Sequence, residues 1–232
     1  MMNSGQRFSI LMFGLFLSLL LVPILTQAET VYRLDFSKQK NGNAADWFAK
    51  NDFKFQNDGD EIKARFENGK LLLEIDDDIN GLITKEVRIE GATKVRIEWG
   101  VNRYLKEANW ENGVLREAIG FIVSFGDEKI SSGSFVVPNV PYFIVIFLGQ
   151  HAIEGKAYLG KYYKKGGRYF CSPCGSKPGQ TVVTEFNLAE TFKNQFKKST
   201  VPFISGFSFE IDARDTDGNS QVFIKSISFI SP

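Results

Sequence analysis

The sequence contains few of the residues that build metal and cofactor sites. Only one of its 232 residues is His and only two are Cys. A zinc site needs about four ligands, so His151, Cys171 and Cys174 would require a carboxylate to complete one. No His follows Cys174, which excludes covalent haem attachment. The chain also lacks a nucleophile elbow, a His-Glu pair at metal spacing and a phosphate-binding glycine loop. His151 therefore remains as a candidate base, and we expect no cofactor apart from the calcium considered below.

An excess of charge of either sign is also absent. Lys plus Arg number 28 and Asp plus Glu number 27, which gives a net charge of +1. Such a chain has no long-range field that would attract nucleic acid, so we expect no nucleic-acid partner. The sequence has no Pro/Ser/Gly-rich linker, repeat or low-complexity tract. We therefore predict one domain over residues 29–232.

Long apolar runs are absent except near the start of the chain. Arg7 is followed by the run Ile10–Leu25 and then by small residues up to Ala28. This order predicts a signal peptide over residues 1–28, cleaved after Ala28. The alternative is an uncleaved anchor, although the run is near the lower limit for spanning a bilayer. We expect a periplasmic or secreted product with no membrane contact once the signal is removed.

Phenylalanine is abundant, at 22 residues, and many of these alternate with polar residues. In Phe203–Asp212, Phe207 and Phe209 fall on one face while Glu210 falls on the other, which is typical of a half-buried strand. Gln221–Ile230 is apolar on both faces, as expected for a central strand. The pattern predicts that these two strands form a terminal pair around the polar turn 213–220.

Further signals extend the β pattern along the chain. Asn68 and Gly69 predict a tight hairpin, because both central positions of such a turn need positive φ. Thr93–Gly100 alternates cleanly and is expected to place Trp99 in the core. One helix is predicted over Leu188–Phe196, with Asn187 as its cap. With roughly ten strands, the fold class is all-β: an antiparallel jelly-roll β-sandwich with one short helix.

Two long irregular stretches, residues 101–117 and 149–165, carry aromatic and cationic residues of the kind that contact ligands at protein surfaces. Loops of this length in a compact domain are usually functional or disordered. Aromatic rings stack on the apolar faces of sugars, and guanidinium groups donate hydrogen bonds in a fixed geometry. For Trp110 the alternative is that it fastens its own loop by packing. The predicted ligand-binding residues are Arg103, Tyr104, Trp110, Tyr162 and Tyr163.

The Cys171-Ser-Pro-Cys174 segment has three interpretations: a disulfide, a redox-active pair or half of a zinc site. A thioredoxin-like redox pair begins a helix, and Gly175, Pro178 and Gly179 prevent a regular helix here. A zinc site would lack a fourth ligand, as described above. We favour a structural disulfide that fixes a local turn and contributes about 2 kcal/mol.

The acidic turn near the end of the chain is a candidate calcium site. Asp215, Asp217 and Asn219 alternate and would present hard oxygen ligands, with Asp212 as an additional ligand. The segment lacks the glycine and the terminal glutamate of an EF-hand loop. The alternative is a solvated turn, because Asp, Asn and Gly favour turns in general.

Two sets of motifs resemble known families. The order of Val31–Phe36, Leu71–Ile75, Thr93–Trp99, Ala118–Phe125 and Phe223–Ile230, with Trp47 after the first, is similar to galactose-binding-like jelly rolls. That architecture is shared by many carbohydrate-binding modules, and the resemblance implies a sandwich that binds glycans.

A narrower resemblance is to a family of secreted bacterial domains of unknown function. Its members end with a short helix, an inward-facing strand and an Asp-Thr-Asp turn before the last strand. Phe186–Phe196, Val201–Phe207 and Asp215–Asn219 match these features. The family often has an acidic pair before the strand that begins at Ala118, where this chain has Arg116 and Glu117. This resemblance implies the fold and leaves the function open.

Three functions remain compatible with the sequence. The favoured hypothesis is an exported, non-catalytic sandwich that binds carbohydrate or another envelope ligand. The second is a polysaccharide lyase or hydrolase, which predicts a groove with His151 or with paired carboxylates of shifted pKa. The third is a structural or assembly protein of the cell envelope that uses a sheet edge or an apolar patch.

Overall fold

A computed structural model of the protein describes residues 28–232. The predicted signal peptide lies outside this part of the chain except for Ala28. The described residues contain no helix long and apolar enough to cross a bilayer. Thirteen strands make up most of the structure. They are β1 (Thr30–Asp35), β2 (Gly42–Asn43), β3 (Phe53–Asn57), β4 (Lys63–Glu67), β5 (Lys70–Asp76), β6 (Asn80–Ile89), β7 (Lys94–Arg103), β8 (Glu117–Ile130), β9 (Val140–Gly149), β10 (Gly167–Cys174), β11 (Val182–Asn187), β12 (Ile204–Asp212) and β13 (Asn219–Ile230).

The strands form two sheets that stack as a sandwich. Sheet A has seven strands in the order β11-β7-β13-β5-β4-β2, with β1 paired to the other end of β13. Sheet B has six strands in the order β10-β9-β8-β12-β6-β3. The pairing is antiparallel throughout except between β9 and β10, which run parallel. The all-β sandwich predicted from the alternating pattern is therefore confirmed.

The core lies between the two sheets and is rich in aromatic side chains. Sheet B contributes Phe121, Phe207 and Phe209, each almost fully buried, and sheet A contributes Trp99 and Phe229. The alternation predicted for these strands is the reason that one face of each sheet can be buried in this way. Phe121 and Phe229 lie with their ring centroids 6.2 Å apart across the interface between the sheets.

Several local predictions are confirmed. Asn68 and Gly69 adopt φ of 51° and 71° in the turn that joins β4 to β5. Helix α2 occupies Leu188–Phe196, and the Asn187 side chain caps it by accepting a hydrogen bond from the Glu190 N–H at 3.0 Å. The Trp99 indole N–H donates to Thr184 Oγ1 at 2.9 Å, which satisfies its polar group inside the core.

The structure corrects the sequence interpretation in two places. Strands β12 and β13 do not pair with each other, because β12 lies in sheet B and β13 in sheet A. The turn between them crosses from one layer to the other, and Ala213 within it is buried. A hairpin and such a crossing have the same strand–turn–strand pattern in sequence. A second helix, α1 (Ala45–Lys50), also occurs, whereas the sequence pattern predicted only the helix Leu188–Phe196.

Candidate functional site

The outer face of sheet B, which points away from the core, carries a row of polar groups. On β12, Ser208, Glu210 and Asp212 alternate with the core residues and therefore point outward. The Ser208 hydroxyl lies 2.9 Å from the Thr84 hydroxyl of the neighbouring strand β6. Ser208 and Asp212 are nonetheless buried. The sheet thus has a polar face whose groups are largely removed from bulk water.

A bulge in β8 adds Glu117 to this face. By simple alternation Glu117 would point into the core together with Ile119 and Phe121. Glu210 pairs with Gly120, however, and Asp212 pairs with Glu117, so three steps along β8 match two along β12. The extra residue reverses the direction of the side chain, as bulges beside functional sites often do. Glu117, Glu210 and Asp212 therefore share one face, and we call them the carboxyl cluster.

Gly120 makes room for the Glu117 side chain. A Cβ atom at position 120 would lie 3.5 Å from Glu117 Cγ and 3.0 Å from Val145 Cγ1. The Glu117 side chain thus extends across Gly120 towards Glu210, which is opposite Gly120 on the next strand. The two glutamate side chains are close enough for each to shift the pKa of the other. Two carboxyl groups can form a hydrogen bond with each other only when one of them holds a proton.

Burial shifts both glutamates towards their protonated forms. Burial, and then the charge of Glu210, raises the pKa of Glu117 well above its usual range. Burial, and then the charge of Asp212, raises the pKa of Glu210 to about 7. Both shifts therefore favour the neutral carboxyl form over the carboxylate.

Asp212 forms ion pairs with two arginines, Arg116 and Arg214. It accepts hydrogen bonds from Arg214 Nε at 2.9 Å and Arg214 Nη2 at 2.8 Å, a bidentate pairing. Arg116 Nη1 lies 3.5 Å from the same carboxylate. Such pairing compensates a buried charge. Asp212 is thus the member of the carboxyl cluster that forms ion pairs with arginine.

The glutamates retain unused hydrogen-bonding capacity. Oε2 of Glu117 and Oε2 of Glu210 are buried and have no hydrogen-bond partner within residues 28–232. Glu210 as a residue is partly exposed. Its other oxygen lies 3.5 Å from Asn80 Nδ2, a weak contact. The two Oε2 atoms are closed to solvent, so they can accept hydrogen bonds from a ligand only after the side chains rotate.

Trp110 packs beside the cluster and is not an exposed platform. It is only 6% exposed, and its ring stacks on Phe147 with centroids 4.8 Å apart. Its indole N–H donates to the Arg116 carbonyl at 3.1 Å. Strand β9 is apolar on both faces, so Phe147 needs a cover on the outer side, and Trp110 provides it. The packing interpretation is therefore favoured, and Trp110 fixes the loop that leads into Glu117.

The other predicted contacts are dispersed. Arg103 lies on sheet A, 3.2 Å from Glu74. Tyr104 is half-buried and its hydroxyl is hydrogen-bonded to Ser176. Tyr162 and Tyr163 lie in the loop before β10, and of these two tyrosines only Tyr162 is exposed. The structure therefore brings Tyr104 and Trp110 to one small cavity but does not bring all five predicted residues together.

Tyr163 is the predicted contact that lies against sheet B. Its ring meets Phe143, on the outer side of β9, edge to face at 5.5 Å. Its hydroxyl donates to the Pro138 carbonyl at 2.8 Å. His151 is exposed and borders a small cavity together with Glu117 and Trp110. That cavity is about 10 Å³, room for one water at most.

The acidic turn holds its side chains in ion pairs. Asp215 pairs with Arg116 at 2.5 Å, and Asp217 Oδ1 accepts a hydrogen bond from the Lys106 N–H at 3.0 Å. Asn219 is exposed at the start of β13. Within residues 28–232, no group of three or more His, Cys, Asp or Glu is arranged to hold a metal ion. Calcium at Asp215, Asp217 and Asn219 stays a prediction.

The disulfide prediction is confirmed. Cys171 and Cys174 are bonded to each other at the end of β10, where that strand runs beside β9. With both sulfurs in this bond, neither is available as a zinc ligand. Cys171 is fully buried in the same small cluster as Trp110, Phe147 and Tyr158. The bond therefore fixes the end of the strand that forms one border of the polar face.

The carboxyl cluster itself was missed by sequence reasoning. The available signal was Glu210, an acidic residue between Phe209 and Ile211 in a strand that is otherwise buried. Glu117 gave no such signal, because the alternation of β8 assigns it to the core side. Only the bulge, which depends on pairing with β12, reveals that the two glutamates meet.

Comparison with known proteins identifies no family. No protein-family model matches the sequence, and no curated protein matches it. The resemblance to secreted bacterial domains of unknown function therefore stays a prediction.

Among solved structures, the chain is similar to a family 29 carbohydrate-binding module from Piromyces equi, with 11% identity, 89% of this chain and 91% of that chain covered, and a TM-score of 0.36. It is also similar to a family 12 xyloglucanase from Bacillus licheniformis, with 11% identity, coverages of 88% and 99%, and a TM-score of 0.38. A third is the Emp46p carbohydrate recognition domain in its potassium-bound form, with 13% identity, coverages of 88% and 98%, and a TM-score of 0.41. Likenesses this distant carry no conclusion about function.

Proposed function

We propose that the protein binds a glycan on the outer face of sheet B, with the carboxyl cluster at the centre of the contact. The observation that carries this proposal is the pair of unsatisfied oxygens, Glu117 Oε2 and Glu210 Oε2. Buried polar groups are nearly always hydrogen-bonded, and leaving one unpaired costs about 1–3 kcal/mol. Both atoms are closed to solvent, so a ligand that supplies hydroxyl groups would recover that cost once a rotation of the glutamate side chains exposes them.

The protonation state of the pair matches the chemistry of sugar hydroxyls. Each hydroxyl both donates and accepts, and a neutral carboxyl group next to a carboxylate offers both functions as well. The hydroxyls of Thr84 and Ser208 continue the polar row along the face. The ring of Tyr162 is exposed beyond the Tyr163 contact and supplies an apolar surface for stacking. The proposal therefore keeps Tyr162 and Tyr163 from the predicted contacts and adds the two glutamates.

An extracytoplasmic setting belongs to the same proposal. The disulfide between Cys171 and Cys174 supports it, because such bonds persist mainly in oxidising compartments. We therefore infer export to the periplasm or to the outside of the cell, where a glycan of the envelope is an available ligand.

The first test is polysaccharide binding by affinity gel or glycan array, followed by calorimetric titration of the best ligand. Replacing Glu210 with Ala should weaken binding at least about tenfold, the equivalent of 1.4 kcal/mol, because it removes both oxygens. The matched control is Glu185→Ala, a change of the same type at an exposed position on β11 of sheet A. Circular dichroism would verify the fold of both variants. Equal affinity of Glu210→Ala and the control would refute the proposal.

A second candidate, glycan hydrolysis, is favoured by the raised pKa values of the neighbouring Glu117 and Glu210. Glycosidases use one protonated carboxyl group as an acid and a second as base or nucleophile. The same polysaccharides should therefore be incubated with the protein and assayed for new reducing ends. Hydrolysis that is lost in Glu117→Gln while binding persists would establish an enzyme. Intact polysaccharide after long incubation would leave binding as the function.

A further inference from the structure

The loop between β8 and β9 exposes two large apolar side chains at its tip. Phe135 is fully exposed and Val136 is 88% exposed, more than any other large hydrophobic residues in residues 28–232. Single exposed apolar residues are common, but two adjacent side chains that both lie wholly in water are not explained by folding. We call residues 131–139 the apolar tip.

The apolar tip is held in shape by its own hydrogen bonds. The Ser132 hydroxyl is buried and lies 3.1 Å from the Ser134 carbonyl and 2.7 Å from the Val137 carbonyl. The Ser132 N–H donates to Asn139 Oδ1 at 3.1 Å, and Tyr163 contacts the base of the loop through its N–H and its hydroxyl. The backbone on both sides of Phe135 is therefore braced, and its side chain is presented outward.

Basic residues surround the base of the tip. The segment that contacts it through Tyr163 also carries Lys161, Lys164 and Lys165, all of which are exposed and form no ion pair within the described chain. The tip itself has no charged residue. On the adjacent end of β8, Asp127 is exposed, and Glu128 lies 3.9 Å from Lys198. The local arrangement is an apolar apex with a mainly basic border.

From this arrangement we infer that the apolar tip adsorbs to the surface of an anionic lipid bilayer. Apolar side chains insert at the boundary of headgroups and acyl chains, and lysines near the surface are attracted to anionic headgroups. Phe135 and Val136 supply the apolar contact, and the lysines of the adjoining segment supply the contact with anionic headgroups. A glycan would find no hydrogen-bonding side chain at Phe135 and Val136. Composition predicts no membrane contact, because it does not reveal a braced apex.

The experiment is cosedimentation of the mature domain with lipid vesicles. One set contains only phosphatidylcholine, and the other contains equal parts phosphatidylcholine and phosphatidylglycerol. The wild type should partition onto the anionic vesicles at least about tenfold better, and high salt should weaken this binding. The double variant Phe135→Ser, Val136→Ser should lose about tenfold in partitioning.

Matched controls distinguish binding through the apolar tip from nonspecific adsorption to vesicles. Val183→Ser removes an exposed valine from β11 of sheet A and should leave partitioning unchanged. Replacing Lys161, Lys164 and Lys165 with Gln should abolish the preference for anionic vesicles. Replacing Lys38, Lys40 and Lys50, which are also exposed, with Gln should not.

Two outcomes would overturn the inference. The first is equal binding of the wild type and the Phe135→Ser, Val136→Ser variant to anionic vesicles. The second is no vesicle binding together with a dimer, detected by light scattering, that the double variant loses; the tip would then be a contact between protein chains. Neither the Phe135→Ser, Val136→Ser variant nor the lysine variant changes the carboxyl cluster. Failure of this inference would therefore leave the glycan proposal unaffected.

Discussion

At the scale of single residues, Glu210 links stability to function. Glu210 lies between the core residues Phe209 and Ile211 on its own strand, and its carboxyl group lies beside Glu117 and Asp212 on the outer face. That position disfavours its charged form and raises its pKa to about 7. Nothing in the folding of β12 requires an acid there, since a serine occupies the equivalent outward position two residues earlier. The energetic cost of the residue suggests selection for a chemical role.

The raised pKa of Glu210 predicts that the stability of the fold depends on pH. Between its ordinary pKa of 4.5 and about 7, Glu210 is protonated in the folded protein and ionised in the unfolded chain. The folded state therefore binds more protons, and the free energy of unfolding should fall as pH rises across this range. The full effect of Glu210 is at most about 3 kcal/mol.

Urea denaturation at pH 4.5, 6 and 7.5 would measure this slope, with Glu210→Gln as the test variant. The amide stays neutral, so the slope should become shallower and the variant should gain stability relative to the wild type at the highest pH. Glu185→Gln, on the exposed edge of sheet A, is the control and should keep the wild-type slope. An unchanged slope in Glu210→Gln would contradict the assigned shift.

At the scale of elements, the β4–β5 hairpin shows how a two-residue signal fixes a turn. Gly69 has φ of +71°, and a Cβ atom there would lie 3.2 Å from Ser37 Cα and the Ser37 carbonyl oxygen. Gly91 has nearly the same φ, +70°, with nothing within 4 Å of such an atom. The two glycines thus share the backbone conformation and differ only in crowding.

Gly69→Ala should therefore cost more stability than Gly91→Ala. We expect about 1 kcal/mol for Gly91→Ala, from backbone conformation alone, and about 2 kcal/mol or more for Gly69→Ala, because crowding against Ser37 is added. Paired urea titrations of the two variants would measure the difference. Equal losses would mean that the backbone at Ser37 moves away without cost.

The elements also show what the sequence can and cannot predict. Alternation identified the inward residues of β12, and the Asn187 cap identified the start of α2, because both signals are local. The bulge that turns Glu117 outward depends on how β8 aligns with β12, which no local pattern encodes. For the same reason the sequence could not assign β12 and β13 to different layers. The candidate site was missed because alternation places Glu210 on the outer face without showing that Glu117, turned outward by the bulge, lies beside it.

At the scale of the whole molecule, β13 holds sheet A together. It lies between β5 and β7 and also pairs with β1. Ile227, which is fully buried, pairs with Leu34 on one side and Ile97 on the other. Its side chain thus packs in the core where three strands meet.

Ile227→Ala should lower the free energy of unfolding by about 3 kcal/mol, through lost burial and the cavity left behind. Val183→Ala, an exposed position at the edge of the same sheet, should change it by no more than about 0.5 kcal/mol. Denaturant titration of both variants measures these values. A small effect at Ile227 would indicate that the core around β13 collapses to fill the space.

The proposed surfaces occupy opposite ends of one strand. Glu117 begins β8, and the apolar tip follows its last residue, Ile130. Bulges shorten β8 at both ends, so that at about 3.3 Å per paired step the two are separated by roughly 30 Å. A glycan centred on the carboxyl cluster would therefore lie away from a bilayer at the tip, and only its end at Tyr162 and Tyr163 would approach the tip.

The pairing of β1 with β13 also determines how the molecule can be tethered. Thr30 is aligned with Ile230, and the Ser231 N–H donates to the Glu29 carbonyl at 2.9 Å. Polypeptide attached before Glu29 or after Ser231 therefore departs from one corner of sheet A. An affinity handle or surface linker placed on either side would anchor the domain by the same point and leave the opposite layer open to solution.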